Sequence, residues 1–223
     1  MTLKGLYAVT PDWHDSKRLL THTEAILAGG CRIVQYRNKT TSDCHRQEQA
    51  GALRALTRRY GARLIVNDCI ELALQVEADG VHLGGDDGDL TAARQRLGPG
   101  KILGASCYDD LALARQAQAA GVDYVAFGSF FPSQVKPDAR RASPELLRAA
   151  RRELTLPLCA IGGITPANAP ALIEAGADML AVISALYEAD DPRAAAEAFA
   201  ALFPSPLPSP AGGRGGRSVA TRR

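Results

Sequence analysis

The sequence predicts an α/β fold: a single (β/α)8 TIM-type barrel followed by a disordered C-terminal tail. Three observations carry this. Eight short apolar runs recur along residues 1–203, helical patterns separate them, and the crossovers are too long for hairpins, which makes the strands parallel. An open doubly wound sheet is the alternative, but the turn after the first strand, "TPDWHD", lacks the G-x-G-x-x-G of a dinucleotide site.

The strands are expected, in order, at "LYAVT" (6–10), "RIVQYR" (32–37), "RLIVN" (63–67), "GVHL" (80–83), "KILGAS" (101–106), "YVAFG" (124–128), "LCAIGG" (158–163) and "MLAVIS" (179–184). Helical patterns include "DLALARQAQAAG" (110–121), "SPELLRAARREL" (143–154) and "TPANAPALIEAG" (165–176), with apolar residues three to four apart. "DPRAAAEAFAALF" closes the series as an eighth helix. After the sixth strand, Gly128 and Ser129 end the apolar run, and Pro132 and Pro137 exclude regular structure in "FGSFFPSQVKPD".

At 223 residues and 46% hydrophobic, the chain can bury a substantial core. No apolar run approaches the roughly 20 residues that span a bilayer, and "MTLKGLYAVT" does not follow the basic-then-apolar plan of a signal peptide. A cytoplasmic protein is expected. Cys31, Cys44, Cys69, Cys107 and Cys159 form no C-x-x-C pair, which signals neither a zinc site nor a disulfide framework. The net charge is +2, yet residues 204–223 carry four arginines and no acid, so the body is slightly acidic and gives no reason to invoke nucleic acid. That Pro-, Gly- and Ser-rich tail lacks apolar periodicity and is read as a solvated extension of a one-domain barrel, residues 1–203.

A barrel of this kind works at the C-terminal ends of its strands. In "QYRNK", Gln35, Arg37 and Lys39 alternate and share one face of an extended chain. Asn67 and Asp68 end the third strand, and "GGDDGD" after the fourth supplies Asp86, Asp87 and Asp89. Each segment alone reads equally well as a solvated loop or turn. Together with Ser106 after strand five and Lys136 after strand six, they bring both signs of charge to one mouth, as a polyanion with a divalent cation requires. Gly162 and Gly163 after strand seven, with Ile183 and Ser184 at strand eight, fall where barrels often bind a phosphate, although a tight turn also explains the glycines. His82 lies within a barrel strand and reads as a hydrogen-bonded interior histidine rather than a catalytic one. His14, beside Trp13, is equally unassigned.

With these positions in hand, the chain resembles the thiamine-phosphate synthase family from about residue 5 to about residue 203. The resemblance rests on the ordered set "GLYAVTP", "QYRNK", "VNDCIELAL", "ADGVHLGGDD", "LGAS", "GSFFPSQVKPD", "AIGGIT" and "AVISAL". It implies condensation of 4-amino-5-hydroxymethyl-2-methylpyrimidine pyrophosphate with 4-methyl-5-(2-phosphoethyl)thiazole, giving thiamine phosphate and pyrophosphate. By the same resemblance, Gln35, Tyr36, Arg37, Asn38, Lys39, Asn67, Ser106 and Lys136 contact the pyrimidine pyrophosphate. Ser133, Gln134, Val135, Gly163, Ile183 and Ser184 contact the thiazole phosphate, Asp68 and Asp87 hold one Mg²⁺ per subunit, and Arg37, Lys39 and Lys136 act in catalysis. The partners implied are small molecules, with no nucleic acid and no membrane; a homo-oligomer is left open.

Two positions depart from the family pattern. "SQVK" stands where many relatives have T-x-T-K, so Val135 lacks a hydroxyl, and Cys69 stands where an acid often follows the N-D pair. A thiazole tautomerase sharing the barrel would need a proton-transfer residue and no metal-pyrophosphate site, and the set Arg37, Lys39, Asp68, Asp87 and Lys136 argues against it. A different phosphate-handling barrel enzyme rests on fold alone. A catalytically silent ligand-binding barrel would bind pyrophosphate without turnover.

Overall fold

The computed structural model describes residues 3–85, 87–132 and 141–203. Eight parallel strands close into a barrel in chain order: β1 (Gly5–Val9), β2 (Ile33–Tyr36), β3 (Arg63–Asn67), β4 (Gly80–Leu83), β5 (Ile102–Tyr108), β6 (Tyr124–Phe127), β7 (Leu158–Ile161) and β8 (Met179–Val182). The seam is β1 against β8, with Tyr7 opposite Ala181. Around the barrel run α1 (Ser16–Ala28), α2 (Asp43–Arg59), α3 (Ile70–Gln75), α4 (Leu90–Leu97), α5 (Leu111–Ala119), α6 (Pro144–Glu153), α7 (Ala169–Glu174), α8 (Ser184–Tyr187) and α9 (Pro192–Ala200).

Most strand ends lie within one or two residues of expectation, and two boundaries change the local structure. β8 ends at Val182, because Ile183 leaves the strand conformation at φ −112° and ψ −86° and starts the one-turn helix α8. The "DPRAAAEAFAALF" helix is therefore ninth among the described residues, and it packs on α1 and β1. The helix expected from residue 165 begins at Ala169. Thr165 to Asn168 is instead a turn, in which the Thr165 N–H donates to Asn168 Oδ1 at 2.9 Å. Helix starts elsewhere follow side-chain capping: Asp15, Asp89, Asp110 and Asp191 each accept an N–H from the first turn of the helix they precede.

Alternation along the strands divides the core in two. Leu6, Ala8, Val34, Tyr36, Leu64, Val66, Val81, Leu83, Leu103 and Val125 point outward into the layer between strands and helices. Tyr7, Val9, Ile33, Ile65, Tyr124, Cys159, Met179 and Ala181 fill the barrel interior. Room for Tyr124 comes from Gly104 on the neighbouring strand, where an added Cβ would fall on the tyrosine ring.

The bottom of the barrel is fastened by a recurring device. Asp79, Asp123 and Asp178, at the starts of alternate strands, accept the backbone N–H of Leu64 (2.8 Å), Leu103 (2.7 Å) and Leu158 (2.9 Å) on the preceding strand. Each carboxylate also meets an arginine from the helix before that strand: Arg54, Arg94 and Arg151, respectively. Cys31, Cys107 and Cys159 are buried thiols, Cys69 is half-buried and Cys44 exposed; none is in a disulfide. No helix of the described residues is long and apolar enough to cross a membrane.

Candidate active site

The C-terminal ends of β2, β3 and β4 bring the proposed cations and carboxylates into contact. Lys39 Nζ lies 2.9 Å from Asp68 Oδ2. Arg37 Nη1 lies 2.8 Å from Asp12 Oδ2, while Asp12 Oδ1 accepts the Lys39 backbone N–H at 2.8 Å. The buried Thr10 fixes the same loop: its hydroxyl donates to the Arg37 carbonyl and accepts the Arg37 N–H, both at 2.8 Å. The sequence reading of "TPDWHD" takes up its missing glycine motif and His14 beside Trp13, and does not single out Thr10 or Asp12. An acid directly opposite the cations of "QYRNK" was the available signal.

Asp68 adopts the left-handed conformation, at φ 63°, and its N–H donates to the His82 carbonyl at 2.8 Å. Asp87 turns back on its own loop, accepting the Gly84 N–H at 2.6 Å. Burial pushes the Asp87 carboxyl above its ordinary pKa, and the Asp68 carboxyl beside it adds to the rise by hydrogen bonding and repulsion; the Gly84 N–H and the Lys39 charge oppose it. Two carboxylates that repel each other at the edge of a barrel mouth form a donor pair suited to a hard divalent cation, with phosphate and water oxygens completing its shell. Among the described residues, no group of three or more His, Cys, Asp or Glu side chains is placed to hold a metal ion.

Deeper in the barrel, five polar side chains join across the interior. Gln35 Nε2 donates to Tyr7 Oη at 2.7 Å, Tyr7 and Tyr124 share a hydroxyl–hydroxyl bond of 2.8 Å, Tyr124 Oη lies 2.9 Å from His82 Nδ1, and His82 Nε2 lies 2.9 Å from Ser106 Oγ. Burial holds His82 down at a pKa of about 4 despite the charge of Asp87, so the imidazole is neutral at physiological pH. The interior histidine expected from "GVHL" is thus hydrogen-bonded through both nitrogens. Tyr7 and Tyr124 were missed because aromatic residues inside strands look like ordinary core. A cavity of about 370 Å³ opens beside Ser106, between the β4–α4 loop and α5.

Not every expected contact residue faces this space. Tyr36 lies on the outward side of β2, where its hydroxyl donates to Gln49 Oε1 of α2 at 2.9 Å. Asn38 likewise turns to Gln49 and to the Trp13 carbonyl. Their positions follow from the two-residue period that sends Gln35 and Arg37 inward. Asn67, at the end of β3, is opposite His82 in register.

The glycines after β7 receive the loop after β6. Gly162 and Gly163 have φ of 105° and 63°, and a Cβ on either would collide with Ser129 or with Phe131 and Pro132. The Phe131 N–H donates to the Gly162 carbonyl at 3.0 Å, and the Ser129 hydroxyl to the Phe131 carbonyl at 2.8 Å. Ile183 and Ser184 stand at the adjacent end of β8. Ser133, Gln134, Val135, Lys136 and the loop acid Asp86 lie outside the described residues.

Comparison with known proteins shows the family. A family model described as thiamine monophosphate synthase matches residues 6–186. A thiamine-phosphate synthase from Methylobacillus flagellatus is 58% identical over 201 residues, 90% of this chain and 96% of the relative. One from Thiobacillus denitrificans is 56% identical, over 89% and 94%. The solved structure of a thiamine phosphate pyrophosphorylase from Pyrococcus furiosus superposes with a TM-score of 0.81 at 37% identity, covering 89% of this chain and 94% of that one. The chain belongs to the thiamine monophosphate synthase family.

Proposed function

We propose that the barrel mouth carries out thiamine-phosphate synthesis, joining the pyrimidinylmethyl group of 4-amino-5-hydroxymethyl-2-methylpyrimidine pyrophosphate to the ring nitrogen of 4-methyl-5-(2-phosphoethyl)thiazole. The C–O bond to pyrophosphate breaks with its electron pair leaving on oxygen, and the thiazole nitrogen supplies the pair for the new C–N bond. Because the pyrimidine amino group donates electron density toward the reacting carbon, departure can run ahead of attack, and no general base is needed. The protein's task is to stabilise charge on the leaving group and to align the nucleophile.

The observation that carries this reading is the pairing of opposite charges on adjacent strand ends, with Lys39 on Asp68 and Arg37 on Asp12. Lys39 is more than half exposed and can exchange its carboxylate for a phosphate oxygen, while Arg37 is held in place to meet one. Lys136 adds a third cation from the β6 loop. Gln35, Asn67 and Ser106 contact the pyrimidine pyrophosphate. Asp68 and Asp87 would hold a Mg²⁺ ion, which when bound would neutralise charge on the pyrophosphate. Gly163, Ile183 and Ser184, with Ser133, Gln134 and Val135, hold the thiazole phosphate. Residues 1–203 act as one catalytic domain in a cytoplasmic setting, with 204–223 an appended tail.

The test is incubation of the purified protein with both heterocycles and Mg²⁺, with and without EDTA, following thiamine phosphate after oxidation to fluorescent thiochrome phosphate. Product that disappears with EDTA supports the assignment. Absence of product from folded protein sinks it.

A further inference from the structure

The buried polar chain crosses five strands, from β2 through β1, β6 and β4 to β5, and its hydrogens can be counted. Tyr7 and Tyr124 are almost wholly enclosed and His82 is 7% exposed. Gln35 Nε2 donates to Tyr7 Oη at 2.7 Å, so the Tyr7 proton must go to its remaining neighbour, Tyr124 Oη, at 2.8 Å. The Tyr124 proton must then go to His82 Nδ1, at 2.9 Å, which makes Nδ1 the acceptor nitrogen. A neutral imidazole with Nδ1 bare carries its proton on Nε2 and donates it to Ser106 Oγ at 2.9 Å. Every bond thus points the same way.

We infer that Tyr7, Tyr124 and His82 are positioning residues that carry a one-way run of hydrogen bonds from Gln35 to Ser106, presenting Gln35 to the barrel mouth as an acceptor and Ser106 as a donor. Among the described residues, Gln35 Oε1 has no hydrogen-bond partner and Ser106 Oγ bonds to His82 alone, so in this direction the Ser106 hydroxyl proton is left for a ligand. The substrate match rests on the function proposed above. The pyrimidine's amino group is a donor and meets the Gln35 carbonyl oxygen, which favours electron release from that nitrogen toward the reacting carbon. The pyrophosphate oxygens are acceptors and meet the Ser106 hydroxyl. Reversing the run requires a Gln35 amide flip together with the other His82 tautomer. It would set an NH₂ donor against the amino group and a hydroxyl already committed to His82 against the anion. The two orientations are distinguishable because each fixes a different nitrogen of His82 as the protonated one.

The experiment is ¹⁵N NMR of the full chain labelled at histidine, without substrate, with the His82 signals identified by their loss in His82→Gln. The expected result is the Nε2–H tautomer with Nδ1 unprotonated. In Tyr124→Phe, Nδ1 loses its donor and the signals shift toward a mixture of tautomers. In the same variant kcat/KM for the pyrimidine pyrophosphate falls about tenfold, the loss of one buried hydrogen bond, while KM for the thiazole phosphate is unchanged. Tyr7→Phe gives the same kinetic pattern should Tyr124→Phe fold poorly. An Nδ1–H tautomer in the unsubstituted protein overturns the inference, as does an unchanged tautomer and kcat/KM in both tyrosine variants. The tautomer is read without turnover, so Nε2–H in a protein that makes no thiamine phosphate preserves the direction of the chain and removes only the proposed substrate.

Discussion

The carboxylate of Asp12 holds the guanidinium of Arg37 at 2.8 Å and, through its other oxygen, the backbone of Lys39 at 2.8 Å. One acid thus sets both cations of the β2–α2 loop, and removing it lets them drift by the ångström or so that alignment tolerates poorly. Asp12→Ala is expected to lower kcat/KM about 10²-fold with little change in thermal stability. Steady-state kinetics beside a melting curve checks this. A variant as active as the parent would show that Arg37 needs no such support.

Asp87→Asn keeps an oxygen for the Gly84 N–H and discards the charge. Folding should be unaffected, whereas activity should demand a higher Mg²⁺ concentration and fall about 10²–10³-fold at limiting metal, in proportion to the charge stabilisation lost. A Mg²⁺ titration of the rate measures this. An unchanged titration would remove Asp87 from the ligand set.

Gly104→Ala places a methyl group against the Tyr124 ring, which sits in the enclosed interior and has few other rotamers to adopt. A loss of about 1–3 kcal/mol in unfolding free energy by urea titration is expected. A neutral result would mean that the tyrosine moves easily, and the hydrogen bonds it makes would then be soft.

At the opposite end, Asp79→Ala leaves Arg54 and the Leu64 N–H without their carboxylate in a partly buried site. Destabilisation of about 3 kcal/mol is expected, with KM for both substrates unaltered at temperatures where the variant is folded. Altered KM values would show that the base of the barrel communicates with the mouth.

His82 is depressed from 6.5 to about 4 by burial. Above pH 6.5 both folded and unfolded chains carry it neutral and it adds no pH dependence. Between pH 6.5 and 4 the unfolded chain binds a proton that the folded chain does not, so stability falls as pH falls, by about 3 kcal/mol across the window. Urea midpoints of the parent should therefore drop more steeply from pH 6.5 to pH 4 than those of His82→Gln. Parallel curves would contradict the shift.

The barrel was legible in the sequence because each strand is a compact apolar run bounded by polar residues and glycine, and because the run of "LYAVT" to "MLAVIS" repeats the same plan eight times. The end of the last strand was not legible: "VIS" is as apolar as a strand, and only the backbone turn at Ile183 reveals the one-turn helix. Side-chain alternation placed Gln35 and Arg37 on the inward face of β2, while Tyr36 and Asn38 fall on the other side, where Gln49 receives them. The polar chain through Tyr7 and Tyr124 could not be read, because it joins residues 117 positions apart and needs the closed barrel to bring them together. Lys136 and the thiazole-loop residues remain expectations carried by the family pattern.

The fastenings at the base of the barrel bear on how the chain is made. Each links partners close in sequence, Arg54 with Asp79, Arg94 with Asp123 and Arg151 with Asp178, around the start of the strand between them. A helix, strand, helix and strand can therefore be stapled as soon as that stretch has left the ribosome, without waiting for distant residues. The Gly5 N–H, by contrast, bonds to the Asp178 carbonyl, a partner synthesised only after seven of the eight strands. Synthesis would thus deliver three locally fastened segments in succession, and the β1–β8 pairing is the one that waits for the end of the barrel sequence.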